Sequence, residues 1–218
     1  MLTGIDVSTH NGVIDWKQVK PQIDFAIIRA GYGKNNIDAR CLYNINGCID
    51  NSIPFGLYWF SYALNEEMAI NEANYICNIA DNYHPTYPIC FDWEYDSDNY
   101  ASKNGKTLTN NDRERIARAF LNRVEERNYY AMLYSNLDYL NKGFKALIDR
   151  YDLWLALWQN ERPNRSFGIW QASAKGKIAG IKTDVDMNYT EKKYGNVKEE
   201  SKKEKFLKEM GEIFDRYL

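Results

Sequence analysis

The sequence predicts an α/β fold, a TIM-like (β/α)5(β)3 barrel of eight strands with five main helices. Short apolar runs alternate with helical patterns from residue 2 to about residue 135, and such alternation is typical of parallel strands with helices outside. Three further apolar runs then follow with no long helix between them. The total of eight strand candidates is the number that closes a small barrel.

The strand candidates are short runs of apolar, β-branched and aromatic residues, each bounded by loop residues. They lie at 2–8 (LTGIDVS), 25–31 (FAIIRAG), 53–63, 87–94 (YPICFDWE), 129–135, 151–158 (YDLWLALW), 167–173 (FGIWQAS) and 183–189 (TDVDMNY). In a closed barrel, the last of these strands becomes a neighbour of the first.

The helix candidates separate the first five strands. They lie near 15–20 and at 39–51, 65–82 and 109–127. The third begins with a suitable N-cap, Asn65, and carries Glu66 and Glu67 in its first turn, where the helix dipole favours acidic residues. The fourth is amphipathic, and its apolar face includes Ile116 and Phe120.

We divide the chain into a barrel domain at 1–192 and a charged C-terminal segment at 193–218. The segment carries apolar residues at helical spacing among lysines and glutamates, which predicts a helix. Such a helix would either pack on the outside of the barrel or lead to a further module absent from this sequence.

Composition and charge argue against several functional classes. A net charge of −2 and a pI of about 5.8 do not fit a nucleic-acid-binding protein, which usually carries a basic excess. No stretch of the sequence approaches the roughly 20 apolar residues that a membrane-spanning helix needs. Met1 and Leu2 lead straight into TGIDVS without a basic and then apolar leader, so we expect a chain made in the cytoplasm.

The cysteines and histidines do not form a metal-binding pattern. Cys41, Cys48, Cys77 and Cys90 contain no CxxC pair, and the chain has two histidines. We therefore expect reduced cysteines in the core, no bound metal and no cofactor.

Acidic residues gather at the ends of the strand candidates. Asp6 lies near the end of the first, and Asp92 and Glu94 lie at the end of the fourth. Asp186 lies in the last. The C-terminal ends of barrel strands form the functional face of such folds. Alternation along a strand places Asp92 and Glu94 on one side and Trp93 on the other, so the sequence predicts one cluster of four acids.

Clustered carboxyl groups suit the hydrolysis of a glycosidic bond. Like charges at this distance do not all ionise, so at least one group holds a proton near neutral pH. A carboxylic acid protonates the leaving oxygen while a carboxylate stabilises or attacks the sugar carbon. Glu94 has the longer reach and is predicted to be the acid, with Asp92 as its anionic partner. Residues i and i+2 lie about 6.5 Å apart along a strand, which leaves the stereochemistry open.

The same residues also fit other interpretations. Asp6 could cap a helix, Asp184 could be a turn residue, and Asp96 and Asp98 fit a solvated loop. The cluster could also bind Mg²⁺ or Ca²⁺. Two rival functions follow from these alternatives: a glycan-binding module without activity, and a metal-dependent phosphodiesterase.

Six blocks in order resemble the glycoside hydrolase family 25 lysozymes. They are GIDVSTHNGVIDW, FAIIRAGYG, GLYWFSYA, PICFDWE, LWLALW and IWQAS followed by DVDMN, and together they span about residues 2–190. Those enzymes are N-acetylmuramidases of phage endolysins and bacterial autolysins. The resemblance implies an eight-stranded barrel that cuts the β-1,4 bond between N-acetylmuramic acid and N-acetylglucosamine in peptidoglycan.

The resemblance also implies roles for individual residues. Glu94 corresponds to the acid, and Asp92 to a stabiliser or nucleophile, or to the group that orients the acetamido group of the substrate. Asp6 and Asp186 correspond to supporting acids. The aromatic residues that the resemblance places along the substrate groove are Tyr32, Tyr58, Tyr62, Tyr134 and Trp158.

The implied partner is bacterial peptidoglycan. The expected cytoplasmic synthesis favours a phage-type lysin that is released to the cell wall through a membrane pore. A cell-wall-binding module would then follow the C-terminal segment.

Overall fold

The computed structural model describes residues 1–195 and confirms the predicted barrel. Its strands are β1 (Leu2–Val7), β2 (Phe25–Tyr32), β3 (Asn36–Ile37), β4 (Phe55–Phe60), β5 (Ile89–Asp92), β6 (Ala131–Asn136), β7 (Asp152–Ala156), β8 (Ile169–Gly176) and β9 (Val185–Thr190). Its helices are α1 (Trp16–Val19), α2 (Cys41–Asp50), α3 (Glu66–Tyr83), α4 (Tyr95–Lys103), α5 (Asn110–Glu126) and α6 (Leu137–Lys142). The helix predicted near the C-terminus lies outside the described residues.

Eight strands form the barrel in the order β1-β9-β8-β7-β6-β5-β4-β2, and the pairing of β1 with β2 closes it. β3 lies outside the barrel and pairs with the end of β2. The four cysteines are buried and form no disulfide among the described residues, as predicted.

The last barrel strand runs against its neighbours. β9 is antiparallel to both β1 and β8, whereas the other barrel pairings are parallel. The expectation of parallel pairing is therefore wrong for this strand. The physical reason is the connection from Gly176 to Val185, which is shorter than the dozen or more residues that a parallel crossover needs.

Two helices were not predicted: α4, which two residues separate from the end of β5, and α6, which follows β6 directly. Asp96 and Asp98, which fit a solvated loop in the sequence, lie instead in the first turn of α4. Asp98 accepts hydrogen bonds from Arg113 Nε at 2.8 Å and from the Tyr139 hydroxyl at 2.6 Å. These two contacts join α4 to α5 and α6.

Alternation along each barrel strand separates an outer core beneath the helices from an inner core. The residues of the inner core, here called the interior plug, are Phe25, Ile27, Tyr58, Tyr87, Cys90, Met132, Tyr134, Trp154 and Ile169. The next inward-facing residue after a plug residue is polar on three strands. These residues are Arg29 on β2, Asp92 on β5 and Gln171 on β8, each two positions closer to the C-terminal end of its strand. The interior therefore changes from apolar to polar at this level.

A buried carboxyl group holds the turn between β4 and α3. Glu72 on α3 is only 2% exposed. It accepts hydrogen bonds from the Ser61 hydroxyl at 2.6 Å and from the backbone N–H of Tyr62 at 3.0 Å. Burial raises the pKa of Glu72 from 4.5 to about 8.

This raised pKa predicts that the free energy of unfolding falls as the pH rises between about 4.5 and 8. In that interval the unfolded chain has released a proton that the folded chain still holds. Glu72→Gln keeps a neutral side chain at every pH. Between about pH 5 and about pH 8, the free energy of unfolding should therefore fall by about 4 kcal/mol less in this variant than in the wild type. Urea unfolding at about pH 5 and about pH 8 measures the difference. Equal pH dependences in wild type and variant would contradict the prediction.

Candidate active site

A cavity of about 450 Å³ opens above the interior plug, at the C-terminal ends of the parallel strands. All four acids that were predicted to cluster line it, namely Asp6, Asp92, Glu94 and Asp186. Three of the predicted aromatic residues also line it, namely Tyr58, Tyr134 and Trp158. The other lining residues are Ser8, His10, Asn11, Arg29, Phe60, Trp154, Gln171, Ala174, Thr183 and Asp184.

Asp6 and Asp186 are paired residues on the neighbouring strands β1 and β9. Asp6 lies near the end of β1, whereas Asp186 lies near the beginning of β9. Because β9 is antiparallel, its beginning lies at the same rim as the end of β1. The predicted position of Asp186 is therefore right, although the parallel direction assumed for its strand is wrong.

Asp92 and Glu94 reach the cavity from the junction of β5 and α4. Asp92 is the last residue of β5, and Glu94 is the N-cap residue of α4. Trp93 points away from the cavity and stacks on Phe91 in the outer core, with ring centroids 6.0 Å apart. The Ser135 hydroxyl donates to the Trp93 carbonyl at 2.8 Å, which ties the junction to β6.

The raised pKa values of Asp6 and Asp186 and the hydrogen bond between them indicate that this pair shares one proton. Burial raises the pKa of Asp6 well above its ordinary value, and the charge of Asp186 raises it further. Burial also raises the pKa of Asp186, while its hydrogen bond with Asp6 lowers it. Asp6 Oδ2 accepts N–H groups from Gln171 at 3.0 Å and from Asn188 at 2.8 Å. Since Oδ2 accepts both, we place the proton of Asp6 on its other oxygen, Oδ1.

The pair Asp92 and Glu94 also resists double ionisation. Burial raises the pKa of Asp92, the charges of Glu94 and Asp6 raise it further, and the positive charge of Arg29 opposes them. Burial likewise raises the pKa of Glu94, together with the charges of Asp96 and Asp186, while the nearby Tyr134 side chain lowers it. Such a pair holds one proton between its two members.

The two carboxyl groups differ in their surroundings. Asp92 is 3% exposed, and its Oδ1 has no hydrogen-bond partner among the described residues. Glu94 is half-buried and lies closer to the opening. A buried acceptor without a donor is costly unless a ligand satisfies it. The site thus has an unfilled acceptor at its floor and a carboxyl group nearer its mouth.

Arg29 is the one lysine or arginine among the described residues that line the cavity. Its Nε donates to Asp38 at 2.7 Å, and its guanidinium lies 5.7 Å from the ring centre of Tyr32. The sequence analysis missed this residue. Alternation could have found it, because Phe25, Ile27 and Arg29 share one face of their strand.

Gln171, Asn188 and Trp154 were also missed. Trp154 Nε1 donates to Asn188 Oδ1 at 2.7 Å, and Asn188 in turn donates to Asp6. Gln171 and Asn188 are paired residues on β8 and β9. Nothing in the sequence alone indicates that these amides meet Asp6, because that contact depends on the closure of the barrel.

The predicted aromatic residues fall into two groups. Tyr58 and Tyr134 are buried walls of the cavity, and Trp158 lies at its mouth with 65% of its surface exposed. Tyr32 and Tyr62 do not line the cavity, and their ring centroids lie 6.4 Å apart. Tyr62 is nevertheless 5.1 Å from the ring of Phe60, which does line it. Roles for these aromatics in binding remain predictions.

Asp184 lies at the rim of the cavity and forms an ion pair with Lys177. Within residues 1–195, no group of three or more histidine, cysteine or acidic side chains is arranged to hold a metal ion. Across the same residues, none of the helices combines the length and the apolar character needed to cross a membrane.

Comparison with known proteins gives a consistent result. The model of the glycosyl hydrolases family 25 matches residues 5–181. Lysozyme M1 of Streptomyces globisporus is 27% identical over 203 residues, which cover 85% of this chain and 66% of that protein. The uncharacterized protein YegX of Escherichia coli K12 is 26% identical over 196 residues, which cover 85% of this chain and 68% of that protein.

Solved structures share the fold. The modular autolysin LytC from Streptococcus pneumoniae, solved with a synthetic peptidoglycan ligand, has a TM-score of 0.73 at 27% identity. The match covers 86% of this chain and 46% of LytC, so the chain spans just under half the length of that autolysin. The bacterial lysozyme from Streptomyces coelicolor has a TM-score of 0.74 at 24% identity, covering 88% of this chain and 92% of that one, a likeness of fold alone.

Proposed function

The chain belongs to family 25 of the glycosyl hydrolases, and from this premise we propose that it is a lysozyme acting on bacterial peptidoglycan. The bond that we propose is the β-1,4 bond between N-acetylmuramic acid and N-acetylglucosamine. The observation that carries the proposal is that Asp92 and Glu94, whose pKa values are raised by burial and by neighbouring negative charges, lie together in a cavity lined by aromatic residues. A carboxylic acid beside a carboxylate is the arrangement that glycosidic bond cleavage uses.

In the proposed mechanism, substrate binding decides which member of the pair keeps the proton. The acetamido N–H of the sugar fills the empty acceptor at Asp92 Oδ1. A donated hydrogen bond stabilises the ionised form of a carboxyl group, so Asp92 becomes the carboxylate and Glu94 the acid. Glu94 then protonates the leaving oxygen, and Asp92 directs the acetamido oxygen to the sugar carbon.

Asp6 and Asp186 support this chemistry from the side. Because they share a proton, the pair contributes one negative charge instead of two. That charge lies close enough to Glu94 to raise its pKa and so favours the protonated acid. The partner of the enzyme in this proposal is the glycan strand of the cell wall.

The direct test is the digestion of purified peptidoglycan, followed by mass spectrometry of the reduced fragments. The proposal expects new reducing ends on N-acetylmuramic acid. Reducing ends on N-acetylglucosamine would contradict the proposed bond. Glycan binding without release of reducing ends would favour an inactive binding module, and loss of activity with a chelator would favour a metal-dependent enzyme.

Replacement of Arg29 by methionine is expected to move the acidic limb of the pH–rate profile to higher pH. Burial raises the pKa of Asp92, and Arg29 is the charge that opposes this rise. Without the guanidinium, Asp92 ionises only at higher pH, so the rise of activity on the acidic limb begins at a higher pH. The profile of kcat/KM measures the limb, and Arg29→Lys is the matched control because it keeps the charge. An unmoved limb in the methionine variant would count against this role.

A further inference from the structure

Gln171 forms three side-chain hydrogen bonds at the cavity. It is 4% exposed. Its Oε1 accepts the hydroxyl of Tyr134 at 3.1 Å and the indole N–H of Trp158 at 3.1 Å. Its Nε2 donates to Asp6 Oδ2 at 3.0 Å. One side chain therefore contacts the wall, the mouth and the buried acid of the site.

These contacts fix the orientation of the amide. An indole N–H can only donate, so the group that receives it from Trp158 must be the carbonyl oxygen of Gln171. The amide nitrogen then has to face Asp6, where it meets an oxygen that also accepts from Asn188. With both donors on Oδ2, Oδ1 is the oxygen of Asp6 that can carry a proton without losing either bond.

The two ends of this arrangement differ greatly in exposure. Trp158 is 65% exposed at the mouth, whereas Asp6 is 5% exposed at the floor. An exposed indole would ordinarily be free to rotate, and its bond to Gln171 restricts it. A fixed aromatic face binds a sugar ring with a smaller entropy loss than a mobile one.

We propose that Gln171 is a positioning residue that holds the indole of Trp158 for sugar binding and fixes the orientation of the Asp6 carboxyl group. The inference rests on the proposed function, because it takes the sugar chain as the ligand of Trp158. Gln171 does not touch the reacting atoms. It acts through Trp158 on substrate affinity and through Asp6 on the turnover step.

The two roles separate in two variants. Gln171→Met loses every hydrogen bond of the amide and should raise KM about fivefold and lower kcat about tenfold. Gln171→Glu keeps an acceptor for Trp158 and loses the donor to Asp6. It should therefore leave KM close to that of wild type, lower kcat and shift the pH profile.

A double-mutant cycle tests the link to Trp158. Trp158→Phe removes the indole N–H and keeps an aromatic face, so it should raise KM about fivefold in the wild-type background. In the Gln171→Met background the bond is already lost, and the same substitution should have little effect on KM. Independent, multiplicative effects on KM would overturn the inference.

Controls separate this inference from folding and from the proposed function. Gln22→Met removes an amide that forms hydrogen bonds outside the cavity and should leave KM and kcat unchanged. Thermal unfolding identifies variants that lose the fold. If Gln171→Met does not fold, Gln171→Glu serves as the test of the inference. If the wild type released no reducing ends, the proposed function would fail. If the wild type is active and the effects multiply, only the role of Gln171 fails.

Discussion

Replacement of Glu94 by glutamine is expected to lower kcat on peptidoglycan by about 10³-fold, because general acid catalysis typically contributes 10²–10⁴. Glutamine has nearly the same size and cannot protonate the leaving oxygen. Burial and the charges of Asp96 and Asp186 raise the pKa of Glu94, and in the proposed mechanism the bound substrate leaves the proton of the pair on Glu94. KM should change little, since the substitution removes a proton donor and not a binding surface.

The pH profile makes this test specific. Wild-type activity should fall on the alkaline side as Glu94 loses its proton, and Glu94→Gln should lack that limb in its residual activity. Glu126→Gln, on the exposed surface of α5, is the matched control and should behave as wild type. Full activity in Glu94→Gln, together with an alkaline limb that Asp92→Asn abolishes, would show that Asp92 is the acid instead.

The strand pattern predicted most of the barrel because each strand repeats the same alternation. The outward-facing residues Ile5, Ile28 and Phe91 are apolar, and the alternate, inward-facing positions end in Asp6 and Asp92. Local periodicity is enough to separate the two faces and to place the acids inside. The cluster of four acids was therefore predictable residue by residue.

The remainder depended on contacts distant in sequence. The antiparallel direction of β9 follows from the short connection between β8 and β9, and the sequence analysis did not use the length of that connection. Asp6 receives its hydrogen bonds from Gln171 and Asn188, which lie 165 and 182 residues away along the chain. No local pattern encodes such a contact. Helix α4 was missed because its N-cap residue, Glu94, was interpreted only as part of a strand.

Replacement of Asp92 by asparagine is expected to lower kcat by about 10²–10³-fold, with KM changed much less. The substitution preserves the shape of the side chain and removes its negative charge. In the proposed mechanism that charge holds the acetamido N–H and stabilises the positive charge that develops on the sugar. Release of reducing ends under substrate excess measures kcat, and Asp50→Asn on the exposed end of α2 is the matched control.

The substrate itself can separate the two possible roles of Asp92. If Asp92 acts through the acetamido group, peptidoglycan with that group removed from N-acetylmuramic acid should already be cleaved slowly by the wild type. Asp92→Asn should then cost little on the modified substrate, because the interaction is absent before the substitution. If Asp92 is instead a nucleophile, Asp92→Asn should lower kcat by the same factor on both substrates, since attack on the sugar carbon does not involve the acetamido group. The unfilled acceptor at Asp92 Oδ1 favours the first outcome. Retention of configuration is expected in either case, so the substrate comparison, and not the product anomer, decides between them.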